Sequence, residues 1–125
     1  MNIKDKKIIC EILSWCLEDY IDLLCIFSII QKKIETFSIN ETKIYVIKIL
    51  KYLINNDLLK VGFAKKNGSF EQWKLENNKC INKIIMDWKT LETKKELSLG
   101  DIAWFDLTEK GRKKFEYLNN LPELK

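Results

Sequence analysis

The chain has 125 residues, 46% of them hydrophobic and 32% charged, and its formal net charge is +4. A chain of this length holds one hydrophobic core, so we expect a single domain over residues 1–125. The positive charge is mild and is spread along the chain, and Arg112 is the only arginine. This is not the pattern of a dedicated nucleic-acid binder.

The residue types argue against an enzyme and against a bound cofactor or metal. The chain has no histidine, the side chain most often used for acid–base catalysis at neutral pH. Its cysteines form no Cys-x-x-Cys pair and have no histidine to act as a base or to complete a zinc site. The four glycines are isolated, so there is no glycine-rich phosphate loop.

The cysteines and the apolar segments bear on the compartment. We interpret Cys10, Cys16, Cys25 and Cys80 as reduced core residues, because they stand in apolar helical surroundings. The apolar run 20–30 is too short to span a bilayer and contains a charged residue, and the first residues have no signal-peptide pattern. We therefore expect a cytoplasmic protein that has no membrane partner.

Two helices are predicted at the start of the chain. Apolar residues at helical spacing predict a first helix over 5–14, followed by a bend around 14–17. A second helix is predicted over 18–33, with acidic residues at its start and lysines at its end, as the helix dipole favours. Because its apolar residues cover nearly the whole circumference, we expect it to run through the middle of the domain.

The third predicted helix has the clearest start and end signals. Ser38 and Glu41 can form a capping box, so the helix should begin near Ile39, and the polar residues at 55–57 should end it. One face is apolar and is expected in the core: Val46, Ile47, Ile49, Leu50, Leu53 and Ile54. The polar residues gather on the other face: Lys48, Lys51, Tyr52 and Asn55.

Three short strands are predicted in the second half of the chain, over 58–63, 70–75 and 102–107. The dipeptide Asn67-Gly68 predicts a type I′ turn between the first two strands.

Two more helices complete the prediction. One is amphipathic and covers 78–91, and the other is capped by Thr108 and ends near Pro122. Together these elements describe an α+β domain with about five helices and a small antiparallel sheet of two to three strands.

Two segments resemble parts of bacterial winged-helix proteins. Residues 50–60, LKYLINNDLLK, resemble the end of the third helix and the next strand in those families, where the motif is LxxxGLI. Residues 105–112, FDLTEKGR, resemble a later strand that ends in LTxxG before a C-terminal helix. The resemblance implies a winged-helix-like single domain.

Two features depart from the DNA-binding members of those families. Only four residues lie between Lys33 and Ser38, too few for the separate short helix and turn that precede a recognition helix. In addition, the predicted helix 78–91 separates the two wing strands, whereas a DNA-reading wing is usually a simple hairpin. Both departures disfavour DNA recognition.

A second, weaker resemblance depends on spaced aromatic, acidic and glycine residues: Trp15, Asp19, Trp73, Trp88, Gly100, Asp101, Trp104 and Phe105. This pattern is similar to that of small bacterial proteins of the toxin-immunity type.

The polar face of the third helix is one candidate binding surface. Lys48, Lys51, Tyr52 and Asn55 stand where a recognition helix presents side chains to DNA. A solvated helix face is the alternative interpretation, and the shortage of arginine favours it.

Two tryptophans are candidate anchors for a protein partner, because aromatic residues are enriched in binding hot spots. They are Trp15, at the predicted bend, and Trp73, in the predicted hairpin. Trp88 and Trp104 lie on apolar or alternating patterns and are expected in the core.

The sequence thus favours a non-enzymatic protein-binding module, of the immunity type that neutralises a toxin partner. The alternative is a winged-helix transcriptional regulator that binds DNA through the polar face of the third helix. The identity of the partner and the oligomeric state do not follow from the sequence.

Overall fold

The computed structural model describes residues 1–94 and 98–125. Within these residues there are five α-helices: α1 Ile3–Trp15, α2 Leu23–Lys33, α3 Ile39–Asn55, α4 Asn77–Lys94 and α5 Glu109–Asn119. There are four strands: β1 Ile21–Asp22, β2 Leu59–Ala64, β3 Phe70–Gln72 and β4 Trp104–Leu107. Short 3-10 turns at Leu99–Asp101 and Pro122–Leu124 complete the described elements. The α+β class is confirmed.

The strands form one antiparallel sheet in the order β1-β4-β2-β3. The sheet therefore has four strands, where the sequence predicted two to three. The additional strand is β1, in which Ile21 pairs with Phe105 of β4.

The prediction that α2 begins at residue 18 is wrong. Asp22 has an extended backbone and its side chain accepts a hydrogen bond from the Cys25 N–H at 2.8 Å, so Asp22 is the N-cap and the helix begins at Leu23. Pairing with β4 holds Ile21 extended. α2 packs against both α1 and α3, but Leu24 is 45% exposed, so one side of this helix faces solvent.

The boundaries of α3 are confirmed together with its capping box. Ser38 Oγ accepts a hydrogen bond from the Glu41 N–H at 3.1 Å, and the Glu41 carboxylate accepts one from the Ser38 N–H at 2.9 Å. At the other end Asp57 adopts a left-handed φ of 59°, and the Leu58 N–H donates to the Leu53 carbonyl at 2.9 Å. This hydrogen bond satisfies a carbonyl of the last turn and directs the chain into β2.

The turn between β2 and β3 differs from the predicted type I′ geometry. Gly68 has a φ of 87°, whereas Asn67 does not adopt a positive φ, which a type I′ turn needs at both central residues. Asn67 instead accepts hydrogen bonds from Ser69 through its side chain, and β3 ends at Gln72 rather than at residue 75.

The start of α5 is packed directly against the corner between α3 and β2. Thr108 Oγ1 donates to the Asp57 carbonyl and accepts from the Gly111 N–H at 2.8 Å. A Cβ added to Gly111 would lie 2.1 Å from the Leu58 carbonyl oxygen, so only glycine fits here. This close approach is a physical reason for the threonine and the glycine of the segment 105–112.

The hydrophobic core lies between the helices and one face of the sheet. The apolar face predicted for α3 is buried except for Ile47, which is half-buried. The buried residues of the sheet face below it are Ile21 of β1, Leu59 and Val61 of β2 and Phe105 of β4. Trp88 is buried as predicted, with its ring centroid 6.0 Å from that of Phe27, while Trp104 is half-buried.

Candidate functional site

The exposed face of α3 carries three of the residues selected from the sequence, together with one that was not selected. Lys48, Lys51 and Asn55 are exposed and lie along one line of the helix, at three- and four-residue spacing. Ile44 begins this line, and it is 63% exposed. Tyr52 is half-buried beside it.

Helix α4 runs antiparallel along one side of α3. The Asn77 side-chain amide at the start of α4 donates to the Ile54 carbonyl near the end of α3, at 3.2 Å. Near the other end of the pair, Lys43 of α3 forms an ion pair with Glu92 of α4. The two contacts place α4 beside α3 over most of its length.

A depression of about 570 Å³ lies between the two helices, and we call it the α3–α4 groove. Isoleucine side chains form its apolar part: Ile44 and Ile47 of α3 and Ile85 of α4. The lysines of α3 line its sides: Lys43, Lys48 and Lys51. The groove is therefore an apolar surface bordered by positive charge.

On the opposite side of α3, a buried carboxylate from α1 contacts the helix. Asp5 is only 6% exposed, and it accepts a hydrogen bond from the Tyr45 hydroxyl. Burial raises the pKa of Tyr45 well above its ordinary value, and the hydrogen bond and charge of Asp5 raise it further. The Lys48 Nζ lies 3.6 Å from Asp5 Oδ2 and 5.5 Å from the Tyr45 ring centroid.

The lysines of the groove thus differ in their surroundings. Lys43 and Lys48 each have a carboxylate partner. Lys51 forms no ion pair with any of the described residues, and it is the lysine whose charge is available to a partner molecule.

The two candidate tryptophans lie elsewhere and do not join this surface. Trp15 is 57% exposed at the last residue of α1. Trp73 is half-buried: its ring centroid lies 5.4 Å from that of Phe63 and 5.1 Å from the Lys83 Nζ. Its indole N–H is buried and has no hydrogen-bond partner among the described residues. Neither tryptophan lines the α3–α4 groove.

The β2–β3 hairpin is held against the connection between α1 and β1. Tyr20 in that connection contacts Phe70 of β3, with ring centroids 5.2 Å apart. Gly68 at the turn lines one depression together with Tyr20 and Asp106. The hairpin is therefore packed on the domain on one side.

The structure adds Ile44, Ile47 and Ile85 to the residues that the sequence selected. The helical pattern places Ile47 on the predicted core face, and Ile44 lies outside both predicted faces. The signal in the sequence was an isoleucine four residues before Lys48 and seven before Lys51, an apolar residue on the polar line of the helix. The exposure of Ile85 depends on where α4 packs against α3, and local sequence patterns do not predict that packing.

Nothing in the described part of the chain forms a metal-binding cluster of three or more cysteine, aspartate or glutamate residues. All four cysteines are free thiols: Cys16 and Cys80 are buried, whereas Cys10 and Cys25 are only partly buried. Burial raises the pKa of Cys16 to about 12, with smaller contributions from Cys25 and Asp106, so this thiol is a poor nucleophile at neutral pH. Among the described helices, none has the length and apolarity that crossing a bilayer requires.

Comparisons of this chain with protein families, with curated proteins and with solved structures find no match. Function is therefore inferred from the geometry of the residues themselves.

Proposed function

We propose that the protein is a non-enzymatic protein-binding module and that it binds its partner through the α3–α4 groove. The observation that carries this proposal is the exposed Ile44, which lines the groove together with two half-buried isoleucines and three lysines. Exposed apolar surface with a polar rim is typical of protein-binding sites. Burying Ile44 under a partner would remove from water a large side chain that folding leaves exposed.

The proposal includes a compartment and a role. Four free thiols support a reducing compartment, and we propose the cytoplasm. The immunity-type role, in which the partner is a toxin, is a prediction that depends on the resemblance described above, and a toxin gene next to this one would support it.

We also propose a winged-helix-like scaffold. Its support is the chain order α1-β1-α2-α3-β2 together with the position of β4 between β1 and β2. Helix α4, inserted between β3 and β4, is an addition to that plan, and it forms one wall of the α3–α4 groove.

Capture of partners from cells by three purified forms tests the protein-binding proposal. Ile44→Asp places a charge among the apolar side chains of the groove, whereas Tyr117→Asp makes the same type of change at a 59% exposed residue of α5. We expect the wild type and Tyr117→Asp to retain the same discrete protein and Ile44→Asp to lose it, with all three forms equally folded by circular dichroism. Retention by all three forms would contradict the proposal.

A second candidate is a DNA-binding regulator, and the corrected start of α2 favours it. Because α2 begins at Leu23, it is itself the short helix that precedes α3, and no additional helix has to fit between Lys33 and Ser38. The first of the two departures from DNA-binding winged-helix proteins is thereby removed.

The second departure is stronger in the structure than in the sequence. The major groove of DNA is about 12 Å wide, room for one helix. Two helices packed side by side, as α3 and α4 are, span about 20 Å. In addition, Lys48 is already paired with Asp5. These contacts make the exposed line of α3 better suited to a protein than to a DNA groove.

The dependence of duplex binding on salt tests the second candidate. DNA binding through Lys51 would weaken steeply as salt rises, and Lys51→Ala would lower the salt slope by about one phosphate contact. We expect only weak duplex binding that Lys51→Ala does not change. Sequence-selective binding that this variant abolishes would favour the regulator.

A further inference from the structure

We infer that the partner of the α3–α4 groove presents an acidic amphipathic helix, an inference that rests on the proposed function. Its support is the shape of the groove and the charges along its sides.

The walls of the groove favour a helix over an extended strand. Both walls are α-helices, whose backbone N–H and C=O groups are already paired within each helix, so they offer no hydrogen bonds to an extended peptide. A partner helix satisfies its own backbone and needs only side-chain contacts. From Lys43 to Lys51 the groove follows nine residues of α3, a rise of about 12 Å or just over two helical turns. A partner helix with apolar residues at i, i+3 or i+4, and i+7 matches this length.

The charges favour acidic residues on that helix. Among the described residues, three lysines and no acidic side chain line the groove. Carboxylates flanking the apolar stripe of a partner would approach Lys51, which has no ion pair among the described residues, whereas Lys43 and Lys48 already have carboxylate partners. A second copy of this chain fits poorly, because two grooves face to face would bring lysines against lysines.

Three synthetic peptides of about 18 residues, long enough to form a helix, test this inference. Two share one leucine stripe, and they carry either glutamate or lysine at the flanking positions. The third has the composition of the glutamate peptide in a scrambled order that has no apolar face. Binding is measured by fluorescence anisotropy and located by chemical-shift changes in NMR spectra of the full chain.

We expect the glutamate peptide to shift the resonances of the groove residues and to bind at least about tenfold more tightly than the lysine peptide, since several flanking charges change sign. The scrambled peptide should not bind. Lys51→Glu should lower the affinity for the glutamate peptide about three- to fivefold and raise the affinity for the lysine peptide, as expected for one exposed charge pair. Ile44→Ala should weaken both helical peptides about tenfold, and Tyr117→Ala should change neither.

Equal binding of the two charged peptides, no binding of the glutamate peptide, or shifts confined to other surfaces would each overturn the inference. Concentration-dependent shifts of the groove residues in the protein alone would assign the groove to a second copy and would also overturn it. The capture experiment judges the proposed function separately. Suppose that Ile44→Asp loses the captured protein but that the glutamate and lysine peptides bind equally well. The proposed function would then stand, and only the inference of an acidic partner helix would be overturned.

Discussion

The Tyr45 hydroxyl donates a hydrogen bond to the Asp5 carboxylate, and this contact joins α3 to the first turns of α1. The same carboxylate also pairs with Lys48 on the exposed line of α3. A buried carboxylate without partners would be costly, so these two contacts make its burial possible and hold α3 against α1.

Tyr45 should make the protein sensitive to alkaline pH. Its pKa is raised in the folded state from the ordinary value of 10.0, first by burial and then by Asp5. Above that value the unfolded chain releases this proton while the folded chain keeps it, so its contribution to stability is complete below about pH 10 and falls as pH rises further.

Denaturant unfolding at several pH values tests this prediction. Tyr45→Phe should lower the free energy of unfolding by about 1–2 kcal/mol at neutral pH, because Asp5 loses a hydrogen-bond donor. As pH rises above about 10, the stability of this variant should fall less than that of the wild type. Tyr117→Phe, at an exposed tyrosine of α5, is the control and should behave as the wild type. The same alkaline slope in Tyr45→Phe as in the wild type would contradict the assignment.

The capping box of α3 should make a measurable contribution to stability. Ser38→Ala removes the Oγ that accepts the Glu41 N–H, and we expect the free energy of unfolding to fall by about 1 kcal/mol. An unchanged denaturation midpoint would mean that this hydrogen bond does not stabilise the helix.

The stability that Glu41 contributes through the same capping box should depend on acid pH. Hydrogen bonds from the Ser38 backbone and then from its side chain lower the pKa of Glu41 below its ordinary value of 4.5. A carboxyl with a lowered pKa stabilises the fold above that ordinary value, and the contribution is lost as pH falls through the folded-state pKa. Glu41→Gln should therefore be close to wild type at neutral pH and less sensitive to acid. Glu35→Gln, at an exposed position before the helix, is the matched control.

Gly111 should tolerate no side chain. A Cβ at this position would lie 2.1 Å from the Leu58 backbone oxygen, so Gly111→Ala must move α5 away from the end of α3. We expect a loss of about 2–3 kcal/mol. Gly100→Ala is the comparison, because the nearest atoms to its Cβ would be side-chain atoms, with Asp22 Oδ2 at 2.8 Å, and a side chain shifts more easily than the backbone oxygen at Gly111, so this variant should be less destabilised. Equal losses in the two variants would contradict the proposed packing.

The four thiols should react with a thiol reagent at two different rates, according to their burial. Cys10 and Cys25 are partly exposed, whereas Cys16 and Cys80 are buried, and burial raises the pKa of all four. A thiol reagent at neutral pH should modify the first pair slowly and the second pair more slowly still, and unfolding should release four reactive thiols. Mass spectrometry of partly labelled protein identifies the sites. Fewer than four thiols after unfolding would contradict the reduced state.

The predictions from sequence were accurate where a local side-chain contact decides the structure. Ser38 with Glu41 marks the start of α3, and Thr108 marks the start of α5, because each cap bonds to a backbone group three residues away. The predictions were inaccurate where distant pairing decides. Ile21 is extended because it pairs with Phe105, more than eighty residues later, and helical periodicity cannot reveal that contact.

The candidate surface was predictable to a similar extent. The lysine line of α3 could be read from its spacing, because Lys48, Lys51 and Asn55 follow the helical repeat. That Ile44 is exposed beside them, and that Ile85 comes next to it, depends on how α4 packs along α3. The contact between Lys48 and Asp5 likewise requires α1 to lie against α3.

Site-specific photo-crosslinking in cells tests most directly whether the α3–α4 groove binds a protein. A photoreactive amino acid replaces Ile44 in one form and Tyr117 in the other, both exposed residues on different helices. We expect a discrete protein adduct from position 44 and none of that size from position 117. Adducts of equal yield from both positions, or a nucleic-acid adduct alone from position 44, would contradict a protein-binding groove.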